Sequence, residues 1–178
     1  MKIKLLIATI LGCLISTTGL MAKSTPNLRF LDVEITGSVE SFADSMALRG
    51  FAKIENRDGD ATRMKGQFIN RDCTIELITN AKKRNVEEVR VTYDGVRVWD
   101  ALWAYFEYFE DLLCKEYGAC TAQNRTIDES VADKVFSFHV GNSRYDSTWK
   151  IDKGHQITLA IVPRDYSTAG CQISYLVK

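Results

Sequence analysis

The chain has 178 residues, 23 basic against 23 acidic, with 46% hydrophobic and 10% aromatic side chains. That length and apolar content suit one domain with a sizeable core or two small, intimately packed repeats. A balanced charge without a dense basic stripe argues against nucleic acid as the main partner.

The N-terminus has the three-part form of a secretory signal. Lys2 and Lys4 make a positive start, Leu5 to Ile15 an apolar run, and Ser16-Thr17-Thr18-Gly19 a small polar stretch. Cleavage is expected after Ala22, giving a leader over 1–22 and a mature domain over 23–178 that works in the periplasm or outside the cell. The apolar run is about half the ~20 residues a spanning helix needs. Ile10-Leu11-Gly12-Cys13 loosely matches a lipoprotein box, so Cys13 offers an alternative, tethered form. Removing the leader takes away two lysines and no acid, which leaves the remainder slightly acidic.

Leu28 to Ile35 alternates and predicts a leading strand. Val39, Phe42, Ala43 and Met46 recur at helical spacing, which predicts a helix over 38–49 capped by Ser38 and ended by Gly50. Short strands follow at 51–55, 63–69, from Cys73 through Leu77, and from Val86 to Tyr93. The turns between them are Asn56 to Asp60, Asn70 to Asp72, and a charged tip at Lys82 to Asn85. Links this short make an antiparallel meander.

A second helix is predicted over 98–117, with Trp99, Leu102, Trp103, Phe106, Phe109, Leu113 and Tyr117 on its apolar face. Asp100, Glu107, Glu110 and Asp111 mark its wet side, and Gly118 ends it. Thr121 to Ala132 is polar and reads as irregular. Strands are then expected at 136–140, 145–151, 157–161 and 171–177, with a longer loop over 163–170. The fold class is α+β. Two units, 28–95 and 96–178, each put a helix before a meander and form a possible tandem repeat. The two helices should pack on one face of a curved antiparallel sheet.

The mature chain keeps Cys73, Cys114, Cys120 and Cys171, an even number that in an exported protein reads as two disulfides. Three connectivities are possible. Cys114–Cys120 straddles the end of the second helix, and Cys73–Cys171 joins the starts of two strands. On the chain-entropy model they would contribute about 2 and roughly 4–5 kcal/mol.

Chemistry is hard to find. His139 and His155 fall on a polar strand side and after a glycine turn, and no G-x-S-x-G accompanies them. Asp58 and Asp60 lack the spacing of a calcium loop. Glu87-Glu88 and the Glu107, Glu110, Asp111 patch read as solvated faces. Asn124-Arg125-Thr126 fits a glycosylation triplet. Metal spacings and nucleotide-binding loops are missing, so no cofactor is expected. Tyr105 and Tyr108, beside Trp149, are the candidate binding aromatics, suited to a protein or glycan partner.

Helix-then-meander order in two copies resembles the architecture of tandem-repeat β-lactamase inhibitor proteins and related small envelope domains. The run Leu31-Asp32-Val33-Glu34-Ile35-Thr36-Gly37, followed by Phe42, Gly50-Phe51, Trp99, Leu112 and Tyr117-Gly118, is similar to small secreted proteins of gut bacteria that have no established function. That resemblance would cover nearly the whole mature chain. Neither likeness carries catalytic residues onto this chain. The expected role is therefore an exported, non-enzymatic binding protein, with modulation or inhibition of an extracellular enzyme as its specific form. The alternatives are a small secreted hydrolase with a carboxylate site and a structural component of the envelope.

Overall fold

A computed structural model describes residues 27–54, 61–79 and 84–177. The leader with Cys13, the Asp58–Asp60 turn and the tip at Lys82–Lys83 lie outside the described residues.

The chain enters through a small hairpin, β1 (Arg29–Phe30) and β2 (Val33–Glu34), where a single strand was expected. Its turn holds Leu31 at φ 56, a left-handed conformation that costs a residue with a Cβ. The turn is tied down from outside. Arg49 Nε donates to Asp32 Oδ1 at 2.5 Å and its second nitrogen to Oδ2 at 2.7 Å. This two-pronged pair fastens the hairpin to the end of α1 (Val39–Ala47).

Helix α1 starts where Ser38 Oγ accepts from Ser41 N at 3.2 Å, and it buries Phe42, Ala43 and Met46. Then come β3 (Ala52–Ile54), β4 (Thr62–Phe68), β5 (Arg71–Thr79), β6 (Val86–Tyr93) and the long α2 (Trp99–Tyr117). The rest is β7 (Ala122–Thr126), α3 (Lys134–His139), β8 (Arg144–Lys150), β9 (His155–Asp165) and β10 (Thr168–Val177).

Eight strands form one open antiparallel sheet in the order β3-β4-β5-β6-β10-β9-β8-β7. Each half is a helix followed by four strands, with α3 inserted in the second. The two meanders meet at their last strands, β6 and β10. This is an α+β architecture.

Period-2 alternation explains the layering. One row crosses six strands through Met64, Ile75, Val91, Ile173, Leu159 and Ser147. All six are fully buried. The next row, Lys65, Thr74, Thr92, Gln172, Ala160 and Asp146, faces the other way. Helix α2 lays Leu102, Phe106, Phe109 and Leu113 on the apolar side. Burying an aliphatic or phenyl side chain of this size stabilises by roughly 1.5–3 kcal/mol, so this layer supplies most of the driving force. Among the described residues no helix is long and apolar enough to cross a membrane.

Three segments differ from the sequence reading. The expected strand at 136–140 is helix α3. Asp133 Oδ1 accepts from Val135 N and Phe136 N at 3.0 and 3.1 Å and starts it. Val135 and Phe138, three apart, are buried, whereas Phe136 and Val140 are 38% and 45% exposed. The apparent alternation was a helical period sampled over too few residues. The stretch expected to be irregular contains β7, an edge strand with no apolar signal. The expected loop over 163–170 is the end of one long hairpin, where β9 and β10 meet at a two-residue turn, Tyr166-Ser167.

The Asp32–Arg49 clamp predicts an acid limb in the stability curve. Its hydrogen bonds to Arg49 hold the Asp32 carboxyl at about 2, below the ordinary carboxylate range. A lowered folded-state value means that the clamp stabilises above the unfolded pKa near 4 and is lost as pH falls toward about 2. Melting temperatures of the wild type and Asp32→Asn should differ at pH 5 and converge near pH 2. A constant gap would sink this account.

A candidate binding cleft beside the second helix

The β4–β5 hairpin turns on two residues, Ile69 and Asn70, at φ 54 and 56. Two left-handed residues suit the twist of a tight hairpin. Asparagine tolerates that conformation, but a β-branched isoleucine is strained in it. Packing of Ile69 against the core offsets the strain.

The turn delivers Arg71 to α2. Its guanidinium lies 4.1 Å above the centre of the Tyr105 ring. Stacking of this kind contributes about 0.5–1 kcal/mol at an exposed site. Beneath the pair is a cavity of about 330 Å³, lined by Asn70, Tyr93, Asp94, Phe109 and Cys171 as well as the stack itself. Phe109 stacks on Tyr93 at 4.4 Å and 20°. Burial pushes the Tyr93 phenol well above its ordinary pKa, so it stays neutral.

A second cavity, about 540 Å³, is lined by Arg49, Lys65, Gln67 and Thr74 among others. Asp72 and Asp94 line both cavities. Gln67 donates to Asp72 Oδ1 at 2.9 Å. The region thus pairs aromatic walls with two carboxylates and a guanidinium, a combination suited to gripping a polar ligand with a flat or cationic part.

Of the three candidate aromatics, Tyr105 forms the cleft wall. Tyr108, one helical turn on, is 44% exposed with its ring 5.6 Å from Phe109. Trp149 does not join them. It pairs across the sheet with Ile157 on the covered face, is 1% exposed, and donates from Nε1 to Gly118 O at 2.9 Å. Its role is in the core, because the alternation of β8 puts it on the inside.

All four described cysteines are free thiols in the structure. The expected Cys73–Cys171 bridge is excluded by register. Cys73 pairs with Tyr93, and Cys171 follows on the far side of β6, where Gln172 pairs with Thr92. Two strand spacings separate the cysteines, about 9–10 Å, beyond the ~7 Å that a disulfide spans. Burial pushes both thiols up to about 12.

The sequence reading missed a polar cluster on the other flank of α2. Glu110, placed on the wet side, is drawn inward with 14% of its side chain exposed. Its Oε1 accepts from Arg125 at 2.6 Å, from Gln123 at 3.1 Å and from Ser147 Oγ. Arg125 also donates to Asp146 O at 2.6 Å and Ser147 Oγ at 2.8 Å. Its guanidinium stands 4.9 Å from the Phe106 ring and 4.4 Å from Tyr145. This is the middle residue of the supposed glycosylation triplet, and it bolts α2 to the β7–β8 edge.

Neither histidine lines the cleft. His139 sits on α3, its ring 4.4 Å from Tyr166. His155 Nδ1 lies 2.7 Å from Asp152 Oδ2 within the β8–β9 turn. Backbone donation from Gly154, then the hydrogen bond to the His155 ring, lowers the Asp152 pKa, which marks a well-formed turn. Among the described residues no three His, Cys, Asp or Glu converge as a metal set would. No protein-family model, no curated protein and no solved structure matches this chain.

Proposed function

We propose that the chain is an exported, non-enzymatic binding protein that holds a protein or glycan partner at the cleft beside α2. Its specific form would be a modulator or inhibitor of an extracellular enzyme. The observation that carries this reading is the Arg71–Tyr105 stack over a half-open cavity, continued by exposed Tyr108. Arginine and tyrosine are the side chains that concentrate binding energy at interfaces: tyrosine offers large area with few rotors to freeze, and arginine a planar fork of donors that also stacks on rings. The signal-like N-terminus supports a location in the periplasm or outside the cell.

A photo-crosslinking side chain at Tyr108, in cells of the natural source, tests it. One partner should be captured there, and Arg71→Ala with Tyr105→Ala should reduce capture by tenfold or more, about 1.4 kcal/mol or above. Capture that ignores both substitutions would refute the assignment.

The hydrolase reading keeps one observation in its favour, the two carboxylates shared by both cavities. Turnover of a glycoside or ester panel by purified chain, abolished by Asp94→Asn, would establish it over the binding role.

A further inference from the structure

Cys114 and Cys120 bracket the end of α2. Cys114 lies in the helix's last turn, and Gly118, at φ 82, turns the chain while its N–H donates to Cys114 O at 2.9 Å. Cys120 comes two residues after Gly118. Both side chains are half-buried at the margin of the core. The loop is anchored from the sheet as well. Gly118 O accepts from Trp149 Nε1, and Thr121 N and Oγ1 both donate to Thr148 O, at 2.7 and 2.9 Å. A loop fixed at both ends holds Cys120 beside the end of α2 that carries Cys114.

The other two cysteines have no such arrangement. Strand β6 stands between Cys73 and Cys171. Cys114 follows Glu110 by one helical turn and shares its flank of α2, the side facing β7 and β8. Cys171 lines the cavity on the opposite flank, with Tyr105.

We propose that Cys114 and Cys120 form a dithiol–disulfide site closed by thiol–disulfide exchange, while Cys73 and Cys171 remain permanent thiols. In the first step one cysteine thiolate attacks a sulfur of a disulfide oxidant, which forms a mixed disulfide and releases one thiol. The second cysteine sulfur then attacks the mixed disulfide and expels the other thiol. The two cysteines lose two electrons, the oxidant gains them, and the cysteine protons pass to the released thiols through solvent. Closure locks the turn that presents Gly118 O to Trp149. The proposal is independent of the cleft and of the route of export, since it concerns the purified chain.

The test uses the full chain carrying Cys13→Ser, so that the thiols counted belong to the fold. The protein is equilibrated with oxidised glutathione, quenched in acid, denatured, alkylated without reductant and digested for mass spectrometry. Alkyl groups are expected on Cys73 and Cys171 alone, with one linked peptide joining Cys114 to Cys120 at a mass lower by two hydrogens. Cys114→Ser should strand Cys120 as a glutathione adduct or free thiol and leave Cys73 and Cys171 unchanged. Native alkylation that spares Cys73 and Cys171 shows that the fold is intact during the assay. Four alkylated cysteines in that folded protein, or any bridge that includes Cys73 or Cys171, would overturn the proposal.

Discussion

Replacing Glu110 with alanine is expected to cost about 2–4 kcal/mol of folding stability. The loss exceeds that of an ordinary surface carboxylate because one oxygen gathers three donors from three residues. Once it is gone, the guanidinium of Arg125 keeps its bonds to Asp146 O and Ser147 Oγ but loses its counter-charge. Ser147, fully buried on the covered face of the sheet, loses its acceptor. Arg125 is 28% exposed, so water hydrates part of the stranded charge and holds the cost below that of a wholly buried pair.

Two further variants separate charge from shape. Glu110→Gln keeps an acceptor and should cost about half as much. Glu110→Leu with Arg125→Met removes both charges and should recover most of the loss, since paired apolar replacements of buried ion pairs are often neutral. Urea titration with the slope monitored decides the matter. A single substitution worth less than about 0.5 kcal/mol would show the cluster to be a surface ion pair.

The second large effect is at Gly170. A Cβ there would lie 2.8 Å from Tyr93 O and 3.3 Å from Asp94 O, with Arg164 Nε at 3.2 Å. The first two are backbone atoms at the end of β6, so no rotamer change relieves the clash. Gly170→Ala should therefore destabilise by about 2–3 kcal/mol. It should also speed amide exchange along β6 and β10 before the outer strands are affected, because the strain falls on the junction of the two halves. Unchanged protection at that junction would show that the strands shift together to make room.

Much of this fold can be read from residue order. The α1 and α2 stripes, the first meander and the last three strands of the second lie where periodicity puts them, because each buries a single face. Segments whose burial is set by neighbours were not legible. Edge strand β7 carries Gln123 and Arg125 on its inner side, and nothing apolar announces it. In the cleft, Tyr105 and Tyr108 are helix residues that a face count finds. Arg71 comes from a hairpin tip far earlier in the chain, and only the strained turn at Ile69 brings it over Tyr105. The misjudged cysteine bridge has the same origin. Strand-start positions can be read locally, but which strand lies between them is settled by the pairing of β6 with β10.

That pairing also sets a clock. Thr92 finds its neighbour Gln172 only when β10, the last ten-residue strand, has arrived. A chain released N-terminus first therefore presents β6 as an unpaired edge with one apolar face for the whole time the second half takes to emerge. Contacts of such sequence separation close slowly. Exposure to misassembly is greatest just before β10 is free to pair, and loss of β10 would injure the first half as surely as the second.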